Sequence, residues 1–208
     1  QLGEFLRQDN KASEAINILE QATKLAPKDA AAWTNIGVAF QQEKRIADAK
    51  IAYEKALALN PESAAISSNL GVIAKEAAEW ELALQYFEKA LEIEPNFAEA
   101  HNNLGMTLKE LGRLDEALAS YNQAIALTPD LAEAHSNLGN TLKELGRLND
   151  AEASYTQAIA VKPDLAEAHS SLGNTLKELG RLEEALDSYN QAIALKPDYA
   201  EAHCNLGN

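Results

Sequence analysis

Small and apolar residues return along this chain in a fixed cycle. In the segment AEAHSNLGNTLKEL, beginning at Ala132, a helical wheel gathers Ala134, Leu138, Thr141, Leu142 and Leu145 on one side. Glu133, Asn137, Asn140 and Glu144 gather on the other. That is the pattern of a helix with one packed and one polar face. The cycle repeats: Gly3, Gly37, Gly71, Gly105, Gly139, Gly173 and Gly207 stand 34 residues apart, as do Pro27, Pro61, Pro95, Pro129, Pro163 and Pro197. A period of this size means stacked supersecondary units. Counting each unit from seven residues before its glycine gives complete repeats at 30–63, 64–97, 98–131, 132–165 and 166–199, with partial repeats at 1–29 and 200–208. The expectation is one solenoid over 1–208.

Each unit reads as two helices. In 132–165 the first starts at Ala132, with Asp130 and Glu133 arranged like a capping box. Gly146 suits the left-handed position that ends the helix. The second helix covers about Asn149 to Val161, and Pro163 stops it. Lys44 and Ala78 stand where Gly112, Gly146 and Gly180 close the later turns, so the early turns are expected to be less ideal. The glycine at unit position 8 allows close helix approach. Alanines at positions 20 and 27, such as Ala151 and Ala158, flank an aromatic at position 24, Tyr155 in this unit. Small and large residues at fixed sites make a repeating knob and hole. The units at 132–165 and 166–199 agree at 26 of 34 positions, which argues for a repeated surface rather than a tailored one.

Composition narrows the partners. The 208 residues carry 32 acidic and 18 basic side chains, a formal charge of -14, which repels nucleic acids and anionic membrane surfaces. Cys204 is the single cysteine, so no intrachain disulfide forms. With neither a signal-peptide pattern nor a bilayer-length apolar run, a cytoplasmic location is expected.

The glycine, alanine, aromatic and proline positions resemble the tetratricopeptide repeat family across essentially the whole chain. The resemblance implies an all-α, right-handed α-α superhelix (a TPR solenoid) of 34-residue helical hairpins, with a concave groove lined by the first helices. Stretches such as AEAHSNLGNTLKELGRL are also similar to the repeats of the O-linked N-acetylglucosamine transferases and of bacterial TPR proteins. In those transferases an asparagine ladder carries protein substrates to a separate catalytic domain. By position the ladder falls here on Asn35, Asn69, Asn103, Asn137 and Asn205, with Ser171 breaking it.

That row, joined by Asn140 and Asn174 one turn on, is the candidate peptide-binding site. An amide offers donors and an acceptor, so it can pair with the backbone of an extended peptide whatever its side chains. Bracing between neighbouring helices is the other role open to it. Glu99, Glu133, Glu167 and Glu201, with Glu76, Glu110, Glu144 and Glu178, flank the row and favour basic ligands, although helix capping also accounts for the first set. The family's clamp for chaperone C-terminal carboxylates needs inner cations, and this face has none.

His101, His135, His169 and His203 recur once per unit. Adjacent units place them too far apart for one tetrahedral metal, so packing against the next hairpin is the expected role. Asp115–Glu116 and Glu183–Glu184 suit helix N-termini. Trp80 is expected in an interhelix turn. No nucleophile elbow, phosphate loop or dinucleotide fingerprint occurs. The expected function is therefore a non-enzymatic scaffold that binds a protein or peptide, without cofactor or metal. The alternatives are a substrate-recruiting arm of a larger enzyme, such as a protein O-glycosyltransferase, and self-assembly through the open ends of the solenoid.

Overall fold

The computed structural model describes residues 2–200, with side chains from residue 14; Glu201, His203, Cys204, Asn205 and Gly207 lie outside the described residues. Two compact units, Gln1–Pro95 and Asn96–Asn208, make up the chain. The first holds α1 (Leu2–Leu25), α2 (Ala30–Gln42), α3 (Ile46–Leu59), α4 (Ala64–Glu76) and α5 (Trp80–Ile93). The second holds α6 (Ala98–Glu110), α7 (Leu114–Leu127), α8 (Ala132–Glu144), α9 (Leu148–Val161), α10 (Ala166–Glu178) and α11 (Leu182–Leu195). No strand occurs among the described residues. The fold is an all-α solenoid of helical hairpins. Within the first unit α2 pairs with α3 and α4 with α5; within the second, α6 pairs with α7, α8 with α9 and α10 with α11.

The hairpins close on one recurring contact. A Cβ added to Gly139 would lie 2.7 Å from Cε1 of Tyr155, inside the van der Waals limit, and Gly37 stands in the same relation to Tyr53 at 2.6 Å. Only a residue without a side chain lets the ring lie flat on the first helix. Tyr53, Phe87, Tyr121, Tyr155 and Tyr189 are all fully buried by this packing, as are the alanines beside them. Burying such a ring stabilises the fold by roughly 1.5–3 kcal/mol, so the contact is the main repeated source of core energy.

The interhelix turns correct one expectation. Gly146 has φ +73°, the left-handed value, but Lys44 and Ala78 adopt φ 57° and 56°. Their hydrogen bonds match those of the glycine turns. Gly146 N–H donates to Lys143 at 2.9 Å and Arg147 N–H to Leu142 at 2.9 Å; Lys44 N–H donates to Gln41 at 2.9 Å and Arg45 N–H to Phe40 at 2.8 Å. The early turns are thus equally regular, because these two bonds satisfy the last helical carbonyls and outweigh the strain of a Cβ at positive φ.

The helix starts correct another. Leu131, not Asp130, is the N-cap of α8, and no side chain caps it. Asp130 lies one residue too early to reach the free amides, and Glu133 pairs instead with Lys162 at 3.3 Å. In the early repeats the polar residue sits one place later and does cap: Asp29 accepts from Ala31 N–H at 2.9 Å, and Ser63 from Ile66 N–H at 3.4 Å. Trp80 is not in a turn but opens α5, half-buried. Leu145, expected on the packed face, is 38% exposed, because it stands at the C-cap of α8, where the chain leaves the core.

Candidate peptide-binding face

The first helices keep one face in solvent because the residues there are polar and the opposite ones are buried. On α8, Ala134, Thr141 and Leu142 are buried, while Glu133, Asn140 and Glu144 are exposed and Asn137 is half-buried. On α2, Ala32, Ile36 and Phe40 are buried and Ala31, Asn35 and Val38 exposed, so there the open face is partly apolar.

In the second unit this face is laced by side-chain bonds. Asn137 Nδ2 donates to Asn102 Oδ1 at 3.0 Å, bridging α8 to α6. Lys109 lies 3.4 Å from Glu144, and Lys143 3.2 Å from Glu178, so each lysine reaches the glutamate of the next first helix. These pairs neutralise part of the acidic surface read from the sequence. Asn140 accepts from the Tyr155 hydroxyl at 2.8 Å, and Asn174 from the Tyr189 hydroxyl at 2.7 Å. The tyrosine pins each amide oxygen, and Asn140 lies on the exposed face. Asn103 is also engaged. Burial pushes the Tyr121 and Tyr155 phenols well above their ordinary range, so both remain protonated donors.

The first unit differs. Asn35 is exposed and Asn69 half-buried, and neither makes a side-chain hydrogen bond among the described residues. Gln41 takes the bridging role, donating to Glu76 at 3.2 Å and accepting from the Tyr53 hydroxyl at 3.1 Å. A cavity of about 240 Å³ opens beside the row, lined by Ala31, Asn35, Asn60, Ser63 and Ala65 among others. Sequence reasoning passed over Asn60 and Asn102. The register held a signal for Asn102, which stands beside Asn103 in α6, but not for Asn60, the C-cap of α3. Asn205, the last residue of the expected ladder, lies outside the described residues.

The histidine series has a different role from the one expected. His135 Nε2 lies 2.9 Å from the Pro129 carbonyl oxygen, and His169 Nε2 3.0 Å from that of Pro163. A carbonyl only accepts, so each ring carries its proton on Nε2 and donates. Trp33 Nε1 donates to Pro27 in the same way, at 3.0 Å. The ring therefore ties each first helix to the preceding turn, not to the following hairpin. Trp and His interchange because both present a ring N–H at that point. Among the described residues no group of three His, Cys, Asp or Glu is placed to hold a metal, and no helix is long and apolar enough to cross a membrane. A separate cavity of about 330 Å³, lined by Trp33, Ile36, Phe40 and Ile51, opens between α1, α2 and α3, away from the asparagines.

The TPR repeat model matches residues 105–146, 139–180 and 173–208. Tetratricopeptide repeat models match 1–29, 30–63, 65–99 and 86–119. No curated protein matches the chain in sequence. Among solved structures, PilW, a widely conserved type IV pilus biogenesis factor, aligns with TM-score 0.85 and 25% identity over 99% of this chain and 96% of its own. YrrB, a TPR protein with an unusual peptide-binding site, aligns with TM-score 0.70 and 24% identity over 91% of this chain and 98% of its own. A chain of the APC/C hetero-tetramer Cut9–Hcn1 aligns with TM-score 0.86 and 20% identity over 95% of this chain and 39% of its own. With repeat models matching from residue 1 to residue 208 and a glycine–aromatic contact closing each hairpin, the chain belongs to the tetratricopeptide repeat family.

Proposed function

We propose that this chain is a protein-interaction scaffold that holds an extended peptide along the asparagine-bearing face of its first helices. The observation that carries the reading is the state of the amides. Asn140 is oriented by the buried Tyr155 hydroxyl, so its amide is ordered before a ligand arrives. The side chains of Asn35 and Asn69 have no hydrogen-bond partner among the described residues. A backbone carbonyl or N–H of a ligand satisfies such groups directly, each bond contributing about 0.5–1.5 kcal/mol net. YrrB shows that the fold accommodates a peptide site in another member, but the residues named here carry the argument.

The lysine–glutamate pairs between α6, α8 and α10 weaken the case for a strongly basic ligand. Backbone recognition gives broad sequence tolerance and modest affinity. The test is panning of a phage-displayed random peptide library on the whole chain. Peptides of extended, varied sequence are expected, and the variant Asn35→Ala, Asn69→Ala, Asn140→Ala should lose them with its helical circular dichroism unchanged. Enrichment of no peptide, or equal enrichment by both proteins, would remove this reading.

A further inference from the structure

The asparagines are not equivalent, although the repeats that carry them look alike. We propose that the peptide is anchored at the early hairpins, in the cavity between Asn35 and Asn60 and along to Asn69, and that the segment seated there is uncharged. The inference rests on the peptide-binding reading above and specifies where and what that face binds.

Three observations point to this place. The first is hydrogen-bond occupancy. Asn137 is bonded to Asn102, and Asn140 and Asn174 to tyrosines, whereas the side chains of Asn35, Asn60 and Asn69 make no hydrogen bond among the described residues. A ligand gains most from amides that otherwise bond only water, because nothing internal is broken to bind it. The second is space. In the late repeat the places of Ala31 and Asn60 are taken by Glu133 and Lys162, and these two side chains close on each other at 3.3 Å. With alanine and asparagine instead, the early repeat leaves an opening of about 240 Å³. The third is charge. No ionisable side chain lines that opening, in a chain of net charge -14. A charged residue entering it would lose water with nothing to compensate, so neutral segments are selected.

The decisive reagent copies the late repeat into the early one. Ala31→Glu with Asn60→Lys should rebuild the ion pair across the opening and close it. The probe is an array of short random-sequence peptides, half of them lacking Asp, Glu, Lys and Arg. The parent chain is expected to retain the charge-free half preferentially. Ala31→Glu/Asn60→Lys, and separately Asn35→Ala/Asn69→Ala, should lower retention by about tenfold or more, the combined effect of two amide bonds. Asn102→Ala, which removes the acceptor of the Asn137 amide without touching the row, should lower the melting temperature while keeping most of the retention. Preference for charged peptides, or early variants that bind like the parent, would overturn the early anchor while leaving peptide binding itself in place. A parent chain that retains no peptide would overturn both.

Discussion

At the scale of single residues, the molecule is built from positions whose geometry leaves little choice. Gly139 faces the Tyr155 ring at a separation no Cβ tolerates, and the alanines around that ring are fully buried. Lys44 is the instructive exception. It holds φ 57° where the later repeats place glycine. An L-residue there costs roughly 1–2 kcal/mol, partly offset by the greater chain entropy glycine loses on folding. Lys44→Gly is therefore expected to stabilise the protein by about 0.5–1 kcal/mol, read as a higher urea midpoint with unchanged slope. A lower midpoint would show that the lysine side chain contributes more than its backbone strain costs.

Between elements, the recurring tie is the ring N–H at the fourth position of each repeat. His135, His169 and Trp33 each bond the carbonyl of the proline that ended the previous helix. Proline cannot donate, but its carbonyl is free, and the first turn of the next helix brings a ring within reach of it. His135→Phe keeps a ring at that position and removes the donor. The expected cost is about 0.5–1.5 kcal/mol, measured by chemical denaturation, with faster amide exchange in the turn around Pro129. His135→Trp should restore most of it, as Trp33 does in its own repeat. Ser67 occupies this position in α4 with a buried hydroxyl that has no partner, so that repeat lacks the tie.

Across the molecule, the tyrosines make stability depend on alkaline pH. Burial, reinforced by Glu76, pushes Tyr53 from the ordinary 10 to about 12, and burial also raises Tyr86, Tyr121 and Tyr155. A folded-state pKa above the unfolded one means that the folded state holds its proton more tightly. The stabilisation is complete below pH 10 and is lost as pH rises from 10 through 12. Spectrophotometric titration should show most of the six tyrosines ionising together, in step with loss of helical circular dichroism. Independent titration near pH 10 with helicity intact would contradict the buried hydroxyl arrangement. At neutral pH the same buried hydroxyls keep Asn140 and Asn174 oriented.

The sequence by itself determined the repeat, the hairpins and the face each first helix turns to solvent, because each follows from a 34-residue period and the 3.6-residue turn of a helix. It also marked Asn35, Asn69, Asn137, Asn140 and Asn174 as a polar row. What the row's members do was decided by tertiary structure, since a hydrogen bond depends on which side chains other helices bring near. Asn140 and Tyr155 are 15 residues apart, and Asn137 and Asn102 are 35 apart. No local pattern distinguishes an amide held by such a partner from one left to solvent. The histidines misled for the same reason: their period was visible in the sequence, but the proline carbonyl that receives them was a matter of how the turn folds back.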